Sequence, residues 1–158
     1  MILQKVFGPS AIKLNLESDS KEELFEELVD HLSKTYPANA RFPRTEIIEA
    51  LEAREAKMST GIAKGIALPH ATVEGIDCLR GVLGVSRGGI DYDSLDGHPV
   101  YLVFMLLAPR GGSEFHLKAL QQLALLIADQ DFVQRLSTAS NPEEAQSVFA
   151  EFDKSAEI

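Results

Sequence analysis

Residues 99–108 read PVYLVFMLLA, a nearly unbroken apolar run closed by Pro109-Arg110-Gly111-Gly112. A run of this length, rich in β-branched and aromatic residues and bounded by turn formers, reads as a strand buried on both faces. Such a strand belongs at the centre of a sheet, so helices are needed on both sides of it. Just upstream, residues 79–86 (LRGVLGVS) read as a second strand, and residues 93–98 (DSLDGH) form a turn signalled by Asp-Gly.

Helical patterns flank this pair. Ser20-Lys21-Glu22-Glu23 is a capping box, and Leu24, Phe25, Leu28, Val29 and Leu32 follow at helical spacing. Two prolines in residues 35–44 (TYPANARFPR) end that helix, and Thr45 is expected to cap a second one running to about Ala56. Ser113 is expected to open a helix in which Leu117, Leu120, Ala124 and Ile127 share one face. Residues 131–139 add a short helix. Asn141, Pro142 and two glutamates mark the start of a last one. Residues 11–16 (AIKLNL) read as a short first strand, and residues 58–65 (MSTGIAKG) as a glycine-punctuated loop leading into a strand at 65–68. With helices first, strands in the middle and helices last, the expected fold is α/β: a three-layer α/β/α sandwich around a mixed sheet. No repeat or linker divides the 158 residues, so a single domain is expected, with its core over about 11–152 and a frayed tail.

Composition narrows the function. A net charge of −9 disfavours nucleic acid and anionic membranes as partners, since both require basic surfaces. No run reaches the roughly 18 apolar residues of a membrane span, and the first residues lack a signal-peptide layout. One cysteine, Cys78, excludes an internal disulfide and suits a reducing cytoplasm, and the expected setting of Cys78 is a packed thiol. The four histidines are not paired at ligand spacing, so neither a metal nor a permanent cofactor is expected. The phosphate loop, dinucleotide fingerprint and nucleophile elbow are all missing.

Three features favour an anion instead. In residues 65–71 (GIALPHA), Pro69 interrupts a strand-like run, so His70 is expected at a strand's end where a loop begins. Residues 109–116 (PRGGSEFH) set two glycines before a helix start, where free N–H groups attract anions. His116 then falls in the first helical turn, where the dipole favours a neutral imidazole able to donate. Arg54 stands near the end of the second helix, ahead of the 58–65 loop. Each has an ordinary explanation taken singly: a half-covered loop histidine, a first-turn residue, a solvated helix charge. His31 and His98 read as a surface residue and a loop residue.

Residues 54–71 (REAKMSTGIAKGIALPHA), 94–109 (SLDGHPVYLVFMLLAP) and 116–129 (HLKALQQLALLIAD) together resemble the enzyme IIA domains of the fructose/mannitol class of the bacterial phosphoenolpyruvate-dependent sugar phosphotransferase system. That class includes stand-alone nitrogen-regulatory members. The resemblance implies a phosphocarrier that takes a phosphoryl group from HPr, or a paralogue, onto the histidine matching His70. His116 and Arg54 match the family's second histidine and its arginine, which stabilise the phosphate. The acceptor is then an enzyme IIB or a regulatory target. With no fused partner segment in the chain, the nitrogen-regulatory branch is favoured over a sugar-specific one. A non-catalytic regulatory module, like the anion-exchanger cytoplasmic domain of the same fold, would not need both histidines and the arginine. Two positions depart from the family pattern: Met58 stands where Gly is common, and Thr72 where a basic residue is common.

Overall fold

In the computed structural model, residues 2–153 are described, and the expected frayed tail lies outside them. Six strands form one mixed sheet: β1 (Ile12–Lys13), β2 (Gly61–Ala63), β3 (Ile66–Ala67), β4 (His70–Val73), β5 (Arg80–Ile90) and β6 (Val100–Pro109). The strand order is β1-β5-β6-β3-β2, with β4 also on β6. β5 runs antiparallel to β6 and β2 antiparallel to β3, while β1 joins β5, and β3 and β4 join β6, in parallel.

The apolar run at 100–108 is the central strand, as its composition predicts. Alternate side chains divide between two cores. Leu102, Phe104 and Leu106 enter one with Leu123, Phe132 and Phe149. Val103, Met105 and Leu107 enter the other with Leu28, Ile47 and Leu51. The first core is covered by α1 (Ile2–Val6), α4 (Ser113–Ile127), α5 (Gln130–Ser137) and α6 (Pro142–Asp153); the second by α2 (Lys21–Ser33) and α3 (Arg44–Lys57). This is the expected three-layer α/β/α sandwich.

Two caps hold as read: the Ser20 side chain accepts from Glu23 N, and Asn141 Oδ1 accepts from Glu144 N at 2.8 Å. Other details differ. Thr45 lies inside the first turn of α3 and is not its cap, because the Pro43 carbonyl already accepts the Ile47 N–H at 3.0 Å. α4 does open at Ser113, with Gly112 as its N-cap, whose carbonyl accepts from His116 N at 3.0 Å. The buried face of α4 is His116, Ala119, Leu123 and Leu126, while Leu117 is 58% exposed. Part of the expected 58–65 loop is strand: Lys64 and Gly65, at φ 55° and 79°, make the left-handed two-residue turn of a β2–β3 hairpin. The core also begins ahead of residue 11. Leu3 and Phe7 are fully buried, with Phe7 stacked on Phe149 at 5.2 Å.

Candidate functional site

β3 and β4 follow β6 in one register, with Ile66 opposite Leu102 and His70 opposite Leu106. Pro69 has no N–H to give, so the extended run breaks at 68–69, while the Pro69 carbonyl still accepts from Leu106 N at 2.9 Å. His70 therefore opens β4, where it was expected to follow the end of a strand. Half-buried, its ring lies with Nδ1 2.8 Å from the Leu68 carbonyl. A carbonyl only accepts, so Nδ1 carries the proton and Nε2 keeps its lone pair.

His116 reaches the same place from the first turn of α4. The two rings meet edge to face with centroids 5.6 Å apart. His116 is 8% exposed, and its Nε2 is buried with no hydrogen-bond partner among the described residues. Burial, followed by the proximity of His70, holds it below the ordinary histidine pKa. The imidazole is thus kept neutral, as expected.

Arg54 comes from the last turn of α3. Its Nη1 donates to the Met58 carbonyl at 3.0 Å, tying the guanidinium to the end of its own helix. An open cavity of about 380 Å³ is lined by Arg54, Lys57, His70, Thr72 and His116, with three alanines between them. The structure thus brings the three site residues read from sequence to one place. None of the lining residues is acidic, on a chain of net charge −9. Two cations and two imidazoles line this space without a carboxylate, a set of groups whose chemistry suits an anion.

Lys57 was not singled out from sequence, although its position one turn after Arg54 is a legible signal. The glycines of 109–116 do not line this cavity. Gly112 instead lines a separate cavity of about 570 Å³. Cys78 is exposed, contrary to the expected packed thiol, because Ile76 takes the buried place in its loop. Partial desolvation pushes the thiol pKa up, which makes it a poor nucleophile. His31 is half-buried with Nε2 3.0 Å from the Ser10 carbonyl, and His98 is exposed in its turn. Among the described residues no cluster could hold a metal, and no helix is long and apolar enough to cross a membrane.

The chain is similar to known proteins over nearly its whole length. It is 36% identical over 154 residues to the fructose-specific EIIABC component of the phosphotransferase system of Bacillus subtilis. That match takes in 98% of this chain but 24% of the other protein. It is 33% identical to a nitrogen regulatory protein of Bradyrhizobium diazoefficiens, covering 95% of each. The crystal structure of the nitrogen regulatory protein IIA-Ntr of Neisseria meningitidis superposes with a TM-score of 0.84 at 31% identity. That superposition covers 94% of this chain and 99% of the other. Residues 5–152 match the family described as phosphoenolpyruvate-dependent sugar phosphotransferase system, EIIA 2, and the chain belongs to that family.

Proposed function

We propose that this protein is a phosphocarrier that accepts a phosphoryl group on His70 Nε2 from an HPr-type phosphohistidine donor. It then passes the group to an enzyme IIB partner or displays it to a regulatory target. The observation that carries this reading is the acid-free cavity lined by two imidazoles, whose rings meet edge to face, together with Arg54 and Lys57. Phosphoryl transfer needs an in-line nucleophile and donors for the charge spread over the equatorial oxygens. The His70 Nε2 lone pair forms the new P–N bond, and the donor's P–N bond breaks with its electron pair returning to the donor imidazole. The proton stays on Nδ1, hydrogen-bonded to the Leu68 carbonyl, throughout, so the attacking nitrogen needs no base.

Arg54 supplies a planar fork for two phosphoryl oxygens. His116 supplies one neutral N–H donor, a role that suits a buried nitrogen with no partner of its own. Thr72 adds no charge where a basic residue is common, so partner choice rests more on Lys57 and the surrounding surface. The nitrogen regulatory relatives, matched over almost their full length, favour the nitrogen-regulatory branch, and a single cysteine suits a cytoplasmic setting. The fructose-specific relative supports a sugar-specific reading as the alternative.

The test is incubation with phosphoenolpyruvate, enzyme I and HPr, using both the sugar-type and the nitrogen-type donor pairs, followed by intact mass. One phosphoryl adduct, formed faster from the nitrogen-type pair, is expected. No adduct from either pair would overturn the proposal. Faster loading from the sugar-type pair, with onward transfer to a fructose-type IIB, would move the protein to the sugar branch.

A further inference from the structure

One amino acid past Arg54, a carboxylate is buried where a helix C-terminus would ordinarily face water. Glu55 is 8% exposed and is bound by three other residues. Its Oε1 accepts from Thr60 N at 2.8 Å and pairs with Lys21 Nζ at 3.1 Å. Its Oε2 accepts from Thr60 Oγ1 at 2.6 Å and weakly from Tyr92 O–H at 3.4 Å. With the Thr60 hydroxyl proton committed to Glu55, the Tyr92 hydroxyl must be the donor in its 2.7 Å contact with Thr60 Oγ1. Lys21 also lies 4.8 Å from the centroid of the Tyr92 ring. A buried carboxylate is tolerated only when its lone pairs are filled in this way.

Ending a helix needs no such cluster; a glycine in the left-handed conformation suffices. What the cluster fixes is Thr60, and Thr60 reaches the site. The Thr60 carbonyl accepts from Leu68 N at 2.9 Å, and the Leu68 carbonyl accepts from His70 Nδ1 at 2.8 Å. The bonds run through different peptide units, so the influence is positional: Glu55 sets Thr60, Thr60 sets Leu68, and Leu68 sets the ring. Pro69 itself has no N–H that could draw this segment into another hydrogen bond. Meanwhile Arg54 is bonded to Met58, inside the turn that Glu55 closes.

We infer that Glu55 and Thr60 are positioning residues that hold His70 in its Nδ1–H tautomer and so leave Nε2 as the nucleophile. This rests on the reading of His70 as phosphate acceptor, but its readout does not. Histidine ¹⁵N NMR on the full chain reports which ring nitrogen of His70 carries the proton in the absence of any phosphate. In the wild type a single Nδ1–H form is expected. Thr60→Val and Glu55→Gln should each convert it to a mixture of tautomers and slow loading on the order of tenfold to a hundredfold, as a misplaced reacting group does. Thr60→Ser, which retains both donors, should restore the single tautomer and the rate.

A folded Thr60→Val or Glu55→Gln in which His70 stays wholly Nδ1–H would overturn the inference, whatever its transfer rate. If Thr60→Val does not fold, Glu55→Gln decides alone; failure of both to fold assigns the cluster to stability and overturns it as well. A wild type with the expected tautomer but no adduct would instead sink the phosphate-acceptor reading and leave the positioning chain standing.

Discussion

Replacing His116 with alanine separates a supporting role in transfer from a role in packing. If the imidazole donates to the phosphoryl group on His70, its loss should slow transfer about 100-fold, the usual effect of removing one preorganised donor, or about 2.7 kcal/mol of barrier. The stability change should be small, because its contributions oppose one another. The variant loses the packing of a buried ring, about 1–2 kcal/mol at most, since the vacated space opens onto the adjoining cavity and admits water. It also loses a buried nitrogen without a partner, which relieves about 1 kcal/mol. Within α4, alanine is the better helix former by about 0.5 kcal/mol. The sum lies within about 1 kcal/mol of zero, a shift of roughly 2–4 °C in melting temperature for a chain of this size. The assay measures both half-reactions, loading from phospho-HPr and discharge to an acceptor, beside thermal unfolding. An adduct that still forms, more slowly, with little change in melting temperature is the expected result. Wild-type rates with a large drop in melting temperature would refute the reasoning and leave His116 as a packing residue.

Three further outcomes follow from the same geometry. Arg54→Ala should slow transfer on the order of a hundredfold with the fold intact, and Arg54→Lys should recover only part, lacking the planar fork; unchanged rates would make Arg54 an ordinary helix charge. Stability should fall as pH drops from about 6.5 toward 5, because His116, lowered by burial and then by His70, and His31, lowered chiefly by burial, resist protonation in the folded state. The unfolded chain then binds more protons in that window, so stability rises with pH there. His116→Gln should flatten the slope of melting temperature against pH, and an unaltered slope would contradict the assignment. Gly81→Ala should cost about 1–3 kcal/mol by chemical denaturation, since a Cβ there would lie 2.7 Å from Val6 Cγ1 and 2.8 Å from the Met105 carbonyl, and a neutral result would show that α1 is not seated on β5.

The sheet and its layers were legible because the signal at 100–108 is composition itself: only a strand covered on both sides can be that apolar. Ser20 and Asn141 were legible because a side-chain cap is local. The misplaced features depend on distant partners. α1 is five residues long, too short for a periodic pattern, and is held by Phe7 against Phe104 and Phe149. The hairpin at 61–67 depends on a lysine taking the left-handed conformation, which sequence does not advertise. The inward face of α4 is set by how the helix packs on the sheet, and it includes a histidine that hydropathy alone does not mark as buried. His70, Arg54 and His116 were singled out by motif and resemblance, while the 5.6 Å approach of the two rings is a product of the fold. Glu55 looked like one more acid on a helix. Its burial arises from Thr60, Tyr92 and Lys21, which the sequence holds 5, 37 and 34 positions away.

The most direct test of the account is the chemical location of the phosphate. After loading from phosphoenolpyruvate through enzyme I and HPr, the adduct should be acid-labile and alkali-stable, as a phosphoramidate is. Phosphorus–nitrogen coupling in ¹⁵N-histidine protein should place it on Nε2 of His70, and His70→Ala should carry none. A phosphate on any other residue or on Nδ1 of His70, or undiminished labelling of His70→Ala, would contradict it.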